Sequence, residues 1–111
     1  MIKQIFSDMD GTILNGSGEI NTKTADFLKE YPIPLTLVSA RAPMEMEFAI
    51  DELGLTGPQI AFNSGLIFEK SAHGITKLLS HPIPHDLAIN IIDFIKKEFP
   101  KATISWYTAN S

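Results

Sequence analysis

The sequence predicts an α/β fold in which a doubly wound parallel sheet is followed by the start of an α+β unit. Three observations carry this. Short apolar runs at residues 3–7, 35–39 and 59–62 alternate with two stretches of helical periodicity, an order that right-handed crossovers turn into a parallel sheet. No internal repeat or low-complexity tract interrupts that alternation. After about residue 66 the pattern changes to a hairpin, a long amphipathic helix and an alternating run.

Taken in order, Lys3-Gln4-Ile5-Phe6-Ser7 reads as the first strand and Gly11 permits the turn after it. Asn21 is placed to cap a helix through Thr24, Phe27, Leu28 and Tyr31, which Pro32 and Pro34 stop. Leu35-Thr36-Leu37-Val38-Ser39 is apolar enough to be a strand buried on both faces. Pro43 suits the first turn of a helix carrying Met46, Ala49, Ile50 and Leu53 on one stripe and ending at Gly54. Gln59-Ile60-Ala61-Phe62 is a third strand, closed by Asn63-Ser64-Gly65. Leu66–Glu69 and Ile75–Leu79 then flank a turn around His73-Gly74. His81-Pro82-Ile83-Pro84 is an extended link to a helix with Leu87, Ile91, Phe94, Ile95 and Phe99 on its apolar face. Residues 101–107 alternate, with Ala102, Ile104 and Trp106 on one side, which predicts a half-buried antiparallel strand.

Composition narrows the function classes. With 111 residues, 44% hydrophobic and 20% charged, the chain is of ordinary globular character. It has no cysteine, which rules out disulfides and thiolate metal sites. Thirteen acids against nine bases argue against nucleic acid as a partner, and Lys96-Lys97, followed at once by Glu98, reads as a solvated helix face. No apolar run approaches a membrane span and no export signal is legible, so the expected location is cytoplasmic.

The chemistry concentrates in Asp8-Met9-Asp10-Gly11-Thr12. Two carboxylates one residue apart lie on the same side of an extended backbone, at the carboxyl end of a strand, where open α/β sheets place their ligands. Such a pair can bind a hard cation, attack an electrophile and move a proton. An Asp-x-Asp-Gly sequence such as residues 8–11 also occurs in ordinary turns. A calcium-loop reading fails for want of the later ligands and the bidentate Glu. His73, His81 and His85 lack the spacing of a zinc pair.

Phe6 through Leu14 resembles the first motif of the haloacid dehalogenase-like (HAD) hydrolases, most of which are phosphatases, and Val38-Ser39-Ala40-Arg41 resembles their second. Glu52-Leu53-Gly54-Leu55, Pro58-Gln59-Ile60 and Asn63-Ser64-Gly65-Leu66-Ile67 resemble the stretch leading into the cap domain of the Cof-type subfamily, which usually reads Asn-Gly-Ala at Asn63-Ser64-Gly65. The resemblance implies Asp8 as nucleophile and Asp10 as general acid and base. It implies Mg²⁺ on the Asp8 carboxylate and the Asp10 carbonyl, and Ser39 as a phosphate donor supported by Thr12 and Asn63. Arg41 would pair with the phosphate or the cap. The substrate would be a small phosphorylated metabolite such as a sugar phosphate, hydrolysed through an aspartyl-phosphate.

The family's third motif, a Lys, and its fourth, an acidic metal-binding pair, match nothing in residues 66–111. The chain is thus expected to be the amino-terminal half of a larger protein. Residues 1–79 would be a partial HAD-like core with the entry hairpin, and 80–111 the beginning of the cap. The alternative is a non-catalytic fragment or binding remnant of the fold. A half-finished sheet would also leave an uncovered edge that favours self-association.

Overall fold

The computed structural model describes residues 2–107. Five strands form one mixed sheet in sequence order: β1 (Ile5–Asp8), β2 (Leu35–Val38), β3 (Gln59–Ala61), β4 (Leu66–Ser71) and β5 (Gly74–Ser80). The first three are parallel, and the β4–β5 hairpin adds antiparallel to β3. Helices α1 (Thr22–Glu30) and α2 (Pro43–Leu53) make the two crossovers, and α3 (His85–Glu98) follows the hairpin. The α/β fold read from the alternation of segments is the one observed.

Local chemistry sets the helix ends. Asn21 Oδ1 accepts the Lys23 N–H at 2.9 Å, satisfying one of the first-turn donors of α1. Pro43 opens α2, Glu45 Oε1 accepts the Ala42 N–H at 3.1 Å, and Gly54 ends the helix in the left-handed region at φ 65°.

Because β1, β2 and β3 follow one another without a reversal, both right-handed crossovers run the same way and bring α1 against α2 on one face of the sheet. The core lies there. Leu35, Leu37, Ala61, Leu66 and Phe68 from the sheet meet Ala25, Met46, Ala49, Ile50 and Leu53 from the helices, with Met9, Leu14 and Ile20 closing it from the first loop. Each large side chain so buried contributes roughly 1.5–3 kcal/mol. The other face carries Phe6, Ile60 and Ile67, which with Gln4, Thr36 and Pro58 line a shallow depression of about 320 Å³.

The β2–β3 junction rests on few main-chain pairs, with Val38 opposite Ile60. Side chains complete it. Thr36 Oγ1 donates to the Pro58 carbonyl at 2.9 Å and accepts from Gln4 Nε2 at 2.7 Å, while the fully buried Gln59 reaches across to β2.

One sequence expectation is corrected. Residues 101–107 form no strand, and Trp106 is exposed. The alternation is real, but no described strand lies beside this segment to complete a ladder, and an unpaired strand is not stable in water. The amphipathic α3 forms as expected, yet its apolar stripe is not packed: Leu87, Ile91, Phe94 and Phe99 are exposed and no residue of the helix is buried.

Candidate active site

The acid pair is positioned from beneath. After β1 ends at Asp8, Met9 turns its side chain into the core, where it is fully buried. Its carbonyl accepts three amides, from Thr12 at 3.2 Å, Ile13 at 3.1 Å and Leu14 at 2.8 Å. Gly11, at φ 76°, makes this tight turn without the Cβ penalty another residue would meet. With Met9 pinned inward, Asp8 and Asp10 stand outward and exposed. Asp8 Oδ1 accepts the Met9 N–H at 2.8 Å, which fixes the carboxylate's rotation. Oδ2 carries no hydrogen bond among the described residues.

The β1–β2 register places Asp8 beside Val38, so Ser39 follows at the same end of the sheet. Ser39 is buried, its N–H donates to the Ile60 carbonyl at 3.0 Å, and its Oγ accepts the Arg41 N–H at 3.0 Å. A hydroxyl whose oxygen is engaged this way keeps its own proton to donate.

Beyond β3 the chain makes a left-handed turn of three consecutive non-glycine residues, Phe62, Asn63 and Ser64, at φ 51°, 52° and 78°. This conformation is costly for Phe and Ser and mildest for Asn. Main-chain bonds hold it: Phe62 N–H to the Arg41 carbonyl, Asn63 N–H to the Ser39 carbonyl and Gly65 N–H to the Phe62 carbonyl, each 3.0 Å. The turn is thereby stitched to the loop after β2, which carries Asn63 to the site.

These strand ends enclose a cleft of about 540 Å³ lined by Phe6, Ser7, Asp8, Asp10, Val38, Ser39, Ala40 and Asn63. Four of the six residues singled out in the sequence, Asp8, Asp10, Ser39 and Asn63, therefore line the same cleft. Arg41 lies at its rim. Thr12 is exposed outside the lining, with its N–H spent on Met9.

Arg41 takes a position that sequence reasoning did not anticipate. Its Nη2 donates to Asp10 Oδ1 at 2.8 Å and its Nε to Asp10 Oδ2 at 3.0 Å, a bidentate pair. Nη1 donates to the Glu45 carbonyl at 3.3 Å, and the guanidinium lies 5.8 Å from the centre of the Phe48 ring. Hydrogen bonding from Arg41 holds the Asp10 carboxyl below its ordinary value of 3.8, and Asp10 in turn holds Arg41 further up its basic range. The missed signal is the strand register: with Asp8 beside Val38, Asp10 and Arg41 leave adjacent strands within three residues of each other.

The donor set does not fit Mg²⁺ by itself. Among the described residues no group of three His, Asp or Glu side chains converges, and both Asp10 oxygens are occupied by Arg41. That leaves one uncommitted carboxylate oxygen of Asp8 and the Asp10 main-chain carbonyl, two contacts for an ion that demands near-octahedral oxygen ligation.

Fold and site together define an α/β protein that presents two acids and a serine hydroxyl at the carboxyl ends of neighbouring parallel strands. Residues 5–111 match the family model of the haloacid dehalogenase-like hydrolases, and the chain belongs to that family. It is 36% identical over 72 residues to a glucosyl-3-phosphoglycerate/mannosyl-3-phosphoglycerate phosphatase of Methanococcoides burtonii, a match covering 62% of this chain and 26% of that protein. A haloacid dehalogenase-like hydrolase of Bacteroides thetaiotaomicron superposes with a TM-score of 0.75 at 22% identity, over 87% of this chain and 38% of that one. A Thermotoga maritima protein of known crystal structure superposes with a TM-score of 0.69 at 26% identity, over 88% of this chain and 37% of that one. The chain thus spans less than half the length of these relatives.

Proposed function

We propose that the chain carries the nucleophile-bearing part of a phosphomonoester hydrolase whose substrate is a small phosphorylated metabolite, with sugar phosphates the favoured class. The observation that supports this best is Asp8, an exposed carboxylate with one oxygen uncommitted, sharing a cleft with the Ser39 hydroxyl. The naming of the Methanococcoides relative as a phosphatase of glycosylated phosphoglycerates favours the sugar-phosphate class.

In this reading an Asp8 oxygen attacks phosphorus in line with the leaving oxygen. The O–P bond to Asp8 forms as the P–O bond to the leaving group breaks, giving an aspartyl-phosphate. Asp10, which can carry a proton only once its pair with Arg41 is broken, then delivers that proton to the departing oxygen and takes one from the water that attacks phosphorus and restores Asp8. Ser39 and Asn63 donate to the non-bridging oxygens, where negative charge is concentrated. Thr12 supports the turn from outside the cleft. Mg²⁺ is proposed for the whole protein, with the Asp8 carboxylate and the Asp10 carbonyl as two of its ligands. The described residues alone do not complete its shell. Residues 1–79 are read as core and entry hairpin, and 80–111 as the start of a cap.

Phosphate release from p-nitrophenyl phosphate by the full-length protein tests the reading. Turnover should require a divalent cation and vanish in Asp8→Asn. Unchanged turnover in that variant contradicts it.

The incomplete donor set favours a second reading, in which residues 1–111 alone are a non-catalytic piece of the fold. The open edge of β1, the exposed Phe6 and the unpacked stripe of α3 also favour self-association of this chain. Sedimentation that rises with concentration would support that; a dilute monomer throughout would not.

A further inference from the structure

We propose that Arg41 and Asp10 form a latch opened by the phosphoryl group, so that Arg41 changes partner from the Asp10 carboxylate to the incoming anion. The inference rests on the phosphomonoester reading above and deepens it. Among the described residues the cleft lining contains two carboxylates and no cation. A phosphate dianion entering it meets Asp8 and Asp10 of its own sign, and repulsion at such range opposes binding. Among the described residues the cation nearest the lining is Arg41, and its charge is already answered by Asp10 through two hydrogen bonds.

The pair has the features of a contact that can be exchanged. Asp10 is 60% and Arg41 28% exposed, so solvent and ions reach both. The guanidinium is steadied independently of Asp10 by the Glu45 carbonyl and the Phe48 ring, and its backbone N–H is fixed on Ser39 Oγ. Losing Asp10 as partner therefore leaves it at the rim. Of its five N–H groups, three are committed in the resting arrangement, which leaves two for a phosphate oxygen before the Asp10 bonds break. A planar fork that matches a carboxylate also matches a phosphate. Arg41 is accordingly a positioning residue for Asp10 in the resting site and a substrate contact once the anion arrives.

Orthophosphate binding to the chain, followed by NMR without divalent cations, tests this. Asp10→Asn should tighten phosphate about 5-fold, the scale of one exposed ion pair, and Arg41→Gln should weaken it. The decisive comparison is Asp10→Asn placed on Arg41→Gln, where most of the gain should disappear. Asp8→Asn removes a charge of the same sign without touching Arg41, so its gain should survive in the Arg41→Gln background. The Arg41 Nε–Hε signal should shift on saturation with phosphate. Equal gains from Asp10→Asn with and without Arg41, an unmoved Arg41 signal at saturation, or no binding by either the wild type or Asp10→Asn would each overturn the latch. Loss of the latch with p-nitrophenyl phosphate turnover intact would leave the phosphatase reading standing. Turnover indifferent to Asp8→Asn would remove that reading instead.

Discussion

Gln59 does for Leu37 what a neighbouring strand would do: its Oε1 accepts the Leu37 N–H at 2.7 Å inside the core, while its Nε2 donates to the Gly57 carbonyl at 3.2 Å. The side chain is fully buried between β2 and β3.

Gln59→Leu keeps the bulk and removes the acceptor, so the Leu37 amide is left without a partner. Urea unfolding should show a loss of roughly 1–3 kcal/mol, the cost of an unsatisfied buried donor. An unchanged midpoint would mean that β2 and β3 re-pair through their main chains.

Ser64→Gly should raise stability. A non-glycine residue in the left-handed region costs about 1–2 kcal/mol, and glycine's extra unfolded-state freedom returns about 0.5–1 kcal/mol of that, so the net gain expected by thermal unfolding is at most about 1.5 kcal/mol. Gly65→Ala should gain less than a helical-region glycine ordinarily would, because its Cβ would lie 3.2 Å from the Phe62 carbonyl oxygen and that main chain would have to shift. The two substitutions together write the Asn-Gly-Ala usual at this point in Cof-type proteins.

The Lys70–Asp51 pair, at 2.6 and 2.8 Å, ties β4 to α2. Hydrogen bonding to Asp51 raises the Lys70 value above its ordinary 10.5. A raised basic group stabilises the fold fully below the unfolded value and loses that contribution as pH climbs through the folded one. The stability difference between wild type and Lys70→Met should thus be flat through neutral pH and close above about pH 10.5. Asp51 is exposed and Lys70 half-buried, so the difference should be small and should shrink in salt. A difference that widens at alkaline pH would contradict the assignment.

Mg²⁺ titrated into residues 1–111 in a calorimeter should give no tight saturating binding, because the described residues offer it one uncommitted carboxylate oxygen. Saturation at micromolar Mg²⁺, abolished by Asp8→Asn, would show that the site completes itself.

The elements legible in the sequence were those whose cause is local. Asn21, Pro43 and Gly54 mark helix ends by chemistry that acts within a turn, and β2 announces itself by an apolar run. Asp8 and Asp10 were legible as a pair at a strand end, whereas Ser39 and Asn63 joined them only through the family resemblance; the parallel strand ends bring all four to one cleft. What stayed hidden was non-local. The strand expected at 101–107 fails for lack of a neighbour that no alternation can supply. The left-handed turn is imposed on Phe62 and Ser64 by bonds to Ser39 and Arg41, against the preference of those residue types. The Arg41–Asp10 pair spans 31 positions and follows from register alone.

Among the described residues β1 is paired on one side only, and that gives its amide hydrogens two fates. The Ile5 N–H bonds to the Pro34 carbonyl, and by the two-residue alternation Ser7 points the same way. The amides of Phe6 and Asp8 face the open edge. In deuterium exchange the strand should therefore split into slow and fast positions in strict alternation, with the fast set including the residue proposed as nucleophile. Whatever comes to lie against that edge, a second copy or further polypeptide, would announce itself by slowing Phe6 and Asp8 together.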